Sequence, residues 1–299
     1  MSLTYLPRCV SQWLRVLRPC FHHRHHLVLS WLLVRHRVYG DRANLKELSR
    51  HGPAHLAYHH YPRLLGAAYW CTKALLWWFA DQALQAFPPP GDGILYLVAD
   101  STLKGKRGPN HPVAQKTRLS QHHPYVFGFR MVILMAQWDT SRIPVDFALV
   151  RRPADPAYET ENAWFRHMLQ AFQRPAWCQE LVVTADAAYA SRATVKLIQT
   201  LGYGYVMALP RTWKFANGKA LKALVTHLPR WKSTQVRIPT VNTRRRRILW
   251  VDAKRARRRH LGDVTVVLSQ CRRNQGPKHT KILVTSLPET VTAREVVGV

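Results

Sequence analysis

The 299-residue chain carries 45 Lys and Arg against 16 Asp and Glu, a formal net charge of +29 with histidine neutral. Apolar residues at 47% and aromatic residues at 10% exclude a disordered chain, and the length allows one large domain with an insertion or two domains. The positive charge is spread over every segment, which points to a polyanionic partner, DNA or RNA being the commonest. A genome rich in Arg codons is the plainer source of the same charge, and a salt-dependent affinity for DNA separates the two.

Cysteine usage bounds the compartment. Cys9, Cys20, Cys71, Cys178 and Cys271 are odd in number, widely spread and form no CxxC pair, which suits a reducing cytoplasm. The longest apolar run near the start, Leu27 to Val34, is interrupted by Ser30 and is too short to span a bilayer. No signal peptide is evident, so a soluble cytoplasmic chain without a membrane partner is expected.

Residues 1–90 read as helical. Leu75, Phe79, Ala83 and Ala86 recur at spacings of three and four, and Pro88, Pro89 and Pro90 end the pattern. Asn44 is a candidate N-cap for a short basic helix. This region is expected to be a DNA-binding bundle or, as readily, a helical subdomain carrying incidental charge. The run His22, His23, Arg24, His25, His26 reads as a polar stretch, because structural zinc sites converge from separated segments and usually include thiolates.

From Pro88 to Gly93 the composition shifts to Pro and Gly, which places a domain boundary there and a second domain at 91–299. Leu95 to Ala99, Tyr125 to Trp138 and Ile143 to Val150 read as three successive strands, an antiparallel meander. Glu161 to Phe172 has Trp164, Phe165, Met168 and Phe172 at helical spacing. Leu181 to Ala185 is a further strand, Arg192 to Leu201 a helix and Tyr205 to Leu209 another strand. The order β-β-β-α-β-α-β is that of an α/β, ribonuclease-H-like mixed sheet with helices on its faces.

After Pro210 the pattern changes to short alternating runs between basic segments, read as a β-rich insertion over about 211–280. Within it Arg244, Arg245, Arg246, Arg247, Lys254, Arg255, Arg257 and Arg258 lie beside Trp250, the mixture a phosphate-tracking surface needs; a solvated hairpin is the alternative. Lys281 to Ser286 returns as a strand, and Thr292 with Glu295 reads as a capping box.

With so few acids, their placement is informative. In LYLVADSTLKGK the first strand is expected to stop at Asp100 and turn through Ser101 and Thr102 into the basic cluster Lys104, Lys106 and Arg107. Asp186 likewise follows the fourth strand. If those strands are adjacent and parallel, the two carboxylates share the strand-end position where open sheets build sites. Asp139 follows an antiparallel strand and is expected at the opposite edge; Asp146 lies within a strand, and Glu159 and Glu161 open a helix where acids meet its positive end. Paired carboxylates of this kind bind divalent metal, and two Mg2+ (or Mn2+) ions would serve phosphodiester transfer.

The segments VADSTLKGKRG, LVVTADAAYAS and LVTSLPETVTAREVVGV resemble, in order and spacing, the blocks of an insertion-sequence transposase with a DDE-type catalytic domain, over roughly residues 30–299. The resemblance implies catalytic, metal-holding roles for Asp100 and Asp186. Thr102 and the Lys104, Gly105, Lys106 triplet match the first acid's surroundings, and Tyr189 the second's. It implies metal-dependent cleavage at transposon ends and strand transfer into target DNA, with a homodimer in a synaptic complex at the bacterial nucleoid. The third acid of such families is a glutamate in a Tyr, Arg, Glu, Lys pattern on a later helix, and this sequence ends at Val299 where that pattern should begin. Glu289 and Glu295 match only the lead-in, so the expectation is a truncated chain that binds DNA and cleaves it poorly. A non-enzymatic nucleic-acid-binding transposase relic is the alternative, and a ribonuclease-H-like nuclease with a further carboxylate near the pair is a third reading.

Overall fold

Val28 to Ser30 is a short helical stretch, and α1 (His60–Gly66) encloses the fully buried Leu64. In the computed structural model of the chain, the described residues are 28–30, 58–66, 71–86, 89–105, 113–120, 123–139, 141–209, 234–240, 243–258, 262–271 and 280–287. Asn44 and the histidine run fall outside them. The chain divides into compact units Met1–Leu75 and Leu76–Val299. The second begins within α2 (Thr72–Ala86), upstream of the Pro88 to Gly93 stretch, and Ala80, Ala83 and Leu84 of this helix join its core. No described helix is long and apolar enough to cross a membrane.

The second unit is a mixed α/β structure built on one sheet. β1 (Ile94–Gly105) buries Leu95, Leu97 and Ala99 on one face by the two-residue alternation of a strand. It pairs antiparallel with β3 (His123–Trp138), which pairs antiparallel with β2 (Gln115–Ser120) and β4 (Ser141–Val150). On its other side β1 pairs in parallel with β5 (Glu180–Ala185), and β5 in parallel with β6 (Gly204–Ala208). α3 (Glu161–Ala171) connects β4 to β5, and α4 (Arg192–Thr200) connects β5 to β6. The order β4-β3-β1-β5-β6, three antiparallel strands and two parallel ones, is consistent with the ribonuclease-H-like arrangement expected.

The core lies chiefly on the face covered by these helices. Phe165, Met168 and Leu169 of α3, with Val195 and Ile198 of α4, pack with Leu95, Leu97, Val132, Leu134 and Val183. Burying a side chain the size of Phe165 contributes on the order of 2–3 kcal/mol before chain entropy is counted. Thr160 caps α3 by accepting from the Ala163 N–H, and Ser191 caps α4 by accepting from the Thr194 N–H. On the opposite face Val182, Val206, Val251 and Val267 form a smaller cluster with Ile94, Tyr96 and Leu283.

Two differences from the sequence reading have physical causes. β1 does not stop at Ala99 but runs through Asp100 to Gly105, because β3 is long enough to pair Asp100 with Ile133 and Gly105 with Gly128. A β-carbon on Gly128 would collide with the Lys104 carbonyl, so glycine permits this close approach. β2 carries one apolar residue, Leu119, and has no hydrophobic pattern to announce it; pairing with β3 alone makes it a strand. Within the range read as a β-rich insertion, the described strands belong to this same sheet. β7 (Thr234–Thr240), β8 (Thr243–Arg258) and β9 (Gly262–Gln270) continue the same sheet through β10 (Lys281–Thr285), which pairs antiparallel with both β9 and β6.

Candidate functional site

Ala99 and Ala185 are the last registered pair of the parallel strands β1 and β5, and Asp100 and Asp186 are the next residue on each. Both aspartates are exposed. Alternation along β1 puts Asp100 on the face of Ile94 and Tyr96, and Asp186 begins the loop that ends β5. The Asp100 Oδ1 accepts from the Ser101 N–H at 2.7 Å. The Asp186 Oδ1 accepts from the Ala188 N–H at 2.8 Å, an Asx turn that redirects the chain toward the Ser191 cap of α4. Each carboxylate is therefore oriented by its own main chain.

Tyr189 follows that turn and is 1% exposed. Its ring meets Phe165 edge-on, with centroids 5.1 Å apart. Burial, then the negative charges of Glu161, Asp186 and Asp100, push its phenol up to about 12, although the Ser101 hydroxyl partly offsets this. The Ser101 hydroxyl is near enough to act on the phenol, yet the Tyr189 hydroxyl makes no hydrogen bond of ordinary geometry among the described residues. It stays a neutral O–H held in a carboxylate-rich neighbourhood.

The first turn of α3 completes this neighbourhood. Glu161 forms an ion pair with Arg130 of β3, and the Asn162 Nδ2 donates to the Ala188 carbonyl at 2.8 Å, tying the helix to the loop after Asp186. Beside these contacts opens a cleft of about 760 Å3, lined by Ser101, Thr102, Lys116, Arg130, Tyr158 and Tyr189 among others. Its polar wall and its lysine suit a phosphate-bearing strand better than an apolar ligand.

The other residues singled out in the sequence are dispersed. Lys104 is exposed on β1, beyond Asp100 and on the same face. Lys106, Arg107, Glu289 and Glu295 lie outside the described residues. Asp139 follows β3 at the far end of β1, where Gln137 pairs with Tyr96, and it takes φ 46° in the turn to β4. Asp146 is buried within β4. Arg244 to Arg247 and Lys254 to Arg258 lie along β8 on either side of Trp250 in the strand. Among the described residues no group of three or more His, Cys, Asp and Glu is placed to hold a metal ion.

Arg130 and Asn162 were missed in the sequence, and Glu161 was assigned only to the helix dipole. A signal existed for Arg130, the single arginine in an otherwise largely apolar strand, but its partner is 31 residues away.

No protein-family model matches the chain, and no curated protein does. Among solved structures, the piggyBac transposase in a synaptic complex with hairpin DNA aligns with 93% of this chain and 56% of its own, at 13% identity and a TM-score of 0.47. The Mos1 strand transfer complex aligns with 60% of this chain and 57% of its own, at 15% identity and a TM-score of 0.21. The chain spans a little over half the length of each.

Proposed function

We propose that this chain is a DNA-binding protein of the DDE transposase type, in which Asp100 and Asp186 hold divalent metal for phosphodiester cleavage and strand transfer. The observation that carries the reading is the register: two exposed aspartates directly follow the pair Ala99 and Ala185 on adjacent parallel strands. The donor set fits Mg2+, a hard cation that takes one or two protein carboxylates and completes its shell with water and substrate phosphate. Held by Asp100 and Asp186, such an ion would supply Lewis-acid polarisation of a phosphoryl oxygen and a lowered pKa for an attacking water or hydroxyl.

The chain's own residues do the rest. The main-chain N–H groups of Ser101 and Ala188 fix the carboxylates, and Lys104 with the net charge of +29 attracts the phosphate backbone. In this reading the chain derives from an insertion sequence and acts as a homodimer in a synaptic complex at the bacterial nucleoid, with transposon ends and target DNA as substrates.

A second reading, a nucleic-acid-binding protein without cleavage, is favoured by one observation: Asp100 and Asp186 have no third metal-binding partner among the described residues. Manganese binding followed by electron paramagnetic resonance, together with nicking of duplex DNA, decides between them. The cleavage reading expects Mn2+ binding and nicking, both lost in Asp186→Asn. DNA affinity indifferent to chelators, with no Mn2+ bound, supports the binder; nicking undiminished in Asp186→Asn overturns the site.

A further inference from the structure

The turn that carries Asp186 is held by α3 at two consecutive residues. The Asn162 Nδ2 donates to the Ala188 carbonyl at 2.8 Å, and one helical turn further along α3 the Phe165 ring meets that of Tyr189 edge-on. Within the turn, the Tyr189 N–H donates to the Asp186 carbonyl at 3.2 Å and the Ala188 N–H to the Asp186 Oδ1 at 2.8 Å. Ala188 is therefore gripped on both sides, its N–H by the Asp186 carboxylate and its carbonyl by Asn162.

The start of α3 is itself fixed. Thr160 caps it, and Glu161 pairs with Arg130 of β3, whose register partner Leu103 lies on β1 beyond Asp100. The first turn of this helix thus joins the strand bearing Asp100 to the turn bearing Asp186. Helix stability does not account for Asn162, because a position so near a helix start favours an acid. Its Oδ1 is buried without a hydrogen-bond donor among the described residues, an unfavourable arrangement that keeps the Nδ2 on Ala188. Turning the amide over would set its oxygen against a carbonyl, which has no proton to give.

We infer that Asn162 is a positioning residue for Asp186: by holding the Ala188 carbonyl it restrains the Ala188 backbone, and with it the N–H that orients the Asp186 carboxylate. The inference rests on the metal-holding reading of Asp186 and adds to it the residue that stands behind that carboxylate. An aspartate carboxylate turns about χ1 and χ2, and one N–H bond selects its direction only when that N–H is itself held. The Asp186 Oδ1 takes this bond, and the second carboxylate oxygen is left for a cation.

Amide hydrogen exchange of the metal-free full chain reads the restraint directly. Ala188 is exposed, so its N–H should exchange at least about tenfold more slowly than a solvated loop amide only while the bond to Asp186 persists. Asn162→Ala should remove most of that protection. Asn162→Asp has nearly the same shape, lacks the donor and suits a helix start, so it should lose the same protection and keeps the test open where Asn162→Ala does not fold. Mn2+ titrated into Asn162→Ala and followed by electron paramagnetic resonance should bind about tenfold more weakly than to the wild type, with the folded fraction unchanged.

Ala188 exchanging like a solvated loop amide in the wild type, or protection unchanged in both variants, overturns the positioning role, and the first of these needs no variant to fold. A merely structural Asn162 would lower thermal stability and leave the Mn2+ affinity of the folded chain untouched, and that result overturns the role as well. With Mn2+ bound by the wild type, these outcomes leave the metal reading of Asp100 and Asp186 intact. A wild type that takes up no Mn2+ overturns that reading and the inference with it, even where Ala188 is protected.

Discussion

Asp100 and Asp186 each directly follow one member of the pair Ala99 and Ala185, the last register pair between β1 and β5. Parallel pairing brings two acids 86 positions apart in the chain to one edge of the sheet, and each is oriented by a neighbouring N–H.

This relationship predicts that metal binding depends on both aspartates. Asp100→Asn and Asp186→Asn should each weaken Mn2+ binding at least about tenfold, because the loss of an oxygen ligand's charge from a hard-cation site is not replaced by an amide. Thermal stability should change by less than about 1 kcal/mol, since both side chains are exposed. Isothermal titration with Mn2+ and thermal unfolding of the same samples check the two halves.

Tyr189 makes an alkaline prediction. Its folded pKa is raised to about 12, above the ordinary value of 10, so the folded state holds the proton more tightly than the unfolded chain. The contribution is fully present below about pH 10 and is lost as the pH rises from about 10 to about 12, a change of about 3 kcal/mol. Tyr189→Phe removes the titrating group. Urea unfolding at pH 8 and pH 11 should show the wild type losing stability relative to the variant at the higher pH; parallel curves would refute the assignment.

Glu161 and Arg130 form a partly buried ion pair, with side chains 21% and 32% exposed. Removing either partner should cost about 1–2 kcal/mol, and the Glu161→Gln, Arg130→Gln double-mutant cycle should return a coupling of about 1 kcal/mol. Additive losses would mean that the two side chains act independently.

Gly128→Ala should be severe for its size. The added β-carbon meets the Lys104 carbonyl and lies 3.0 Å from the Gly105 Cα, so the two backbones must separate. The expected cost is about 2–4 kcal/mol, with loss of hydrogen-exchange protection at the Lys104 end of β1. Gly91→Ala, where a β-carbon meets nothing within 4 Å, is the control expected to stay within about 0.5 kcal/mol.

The sequence by itself determined the order of strands and helices from Ile94 to Ala208, apart from β2, and the strand-end position of Asp186. Apolar runs such as LYLVA, buried on one face and half-buried on the other, and LVVTA can be read locally, and the helices between them have their own period and their own caps, Thr160 and Ser191. Only the tertiary structure decided that β1 continues through Asp100, that QKTRLS is a strand, that Glu161 belongs with Arg130, and that the two basic clusters stand apart on β8. Each of these depends on a partner distant in sequence: Ile133 for Asp100, Phe127 for Lys116, Arg130 for Glu161, and β7 and β9, between which Trp250 and Val251 pair on both sides. A polar or charged segment has no hydrophobic period of its own. Its conformation is set by the backbone hydrogen bonds that a neighbouring strand offers, and those exist only once the chain has folded.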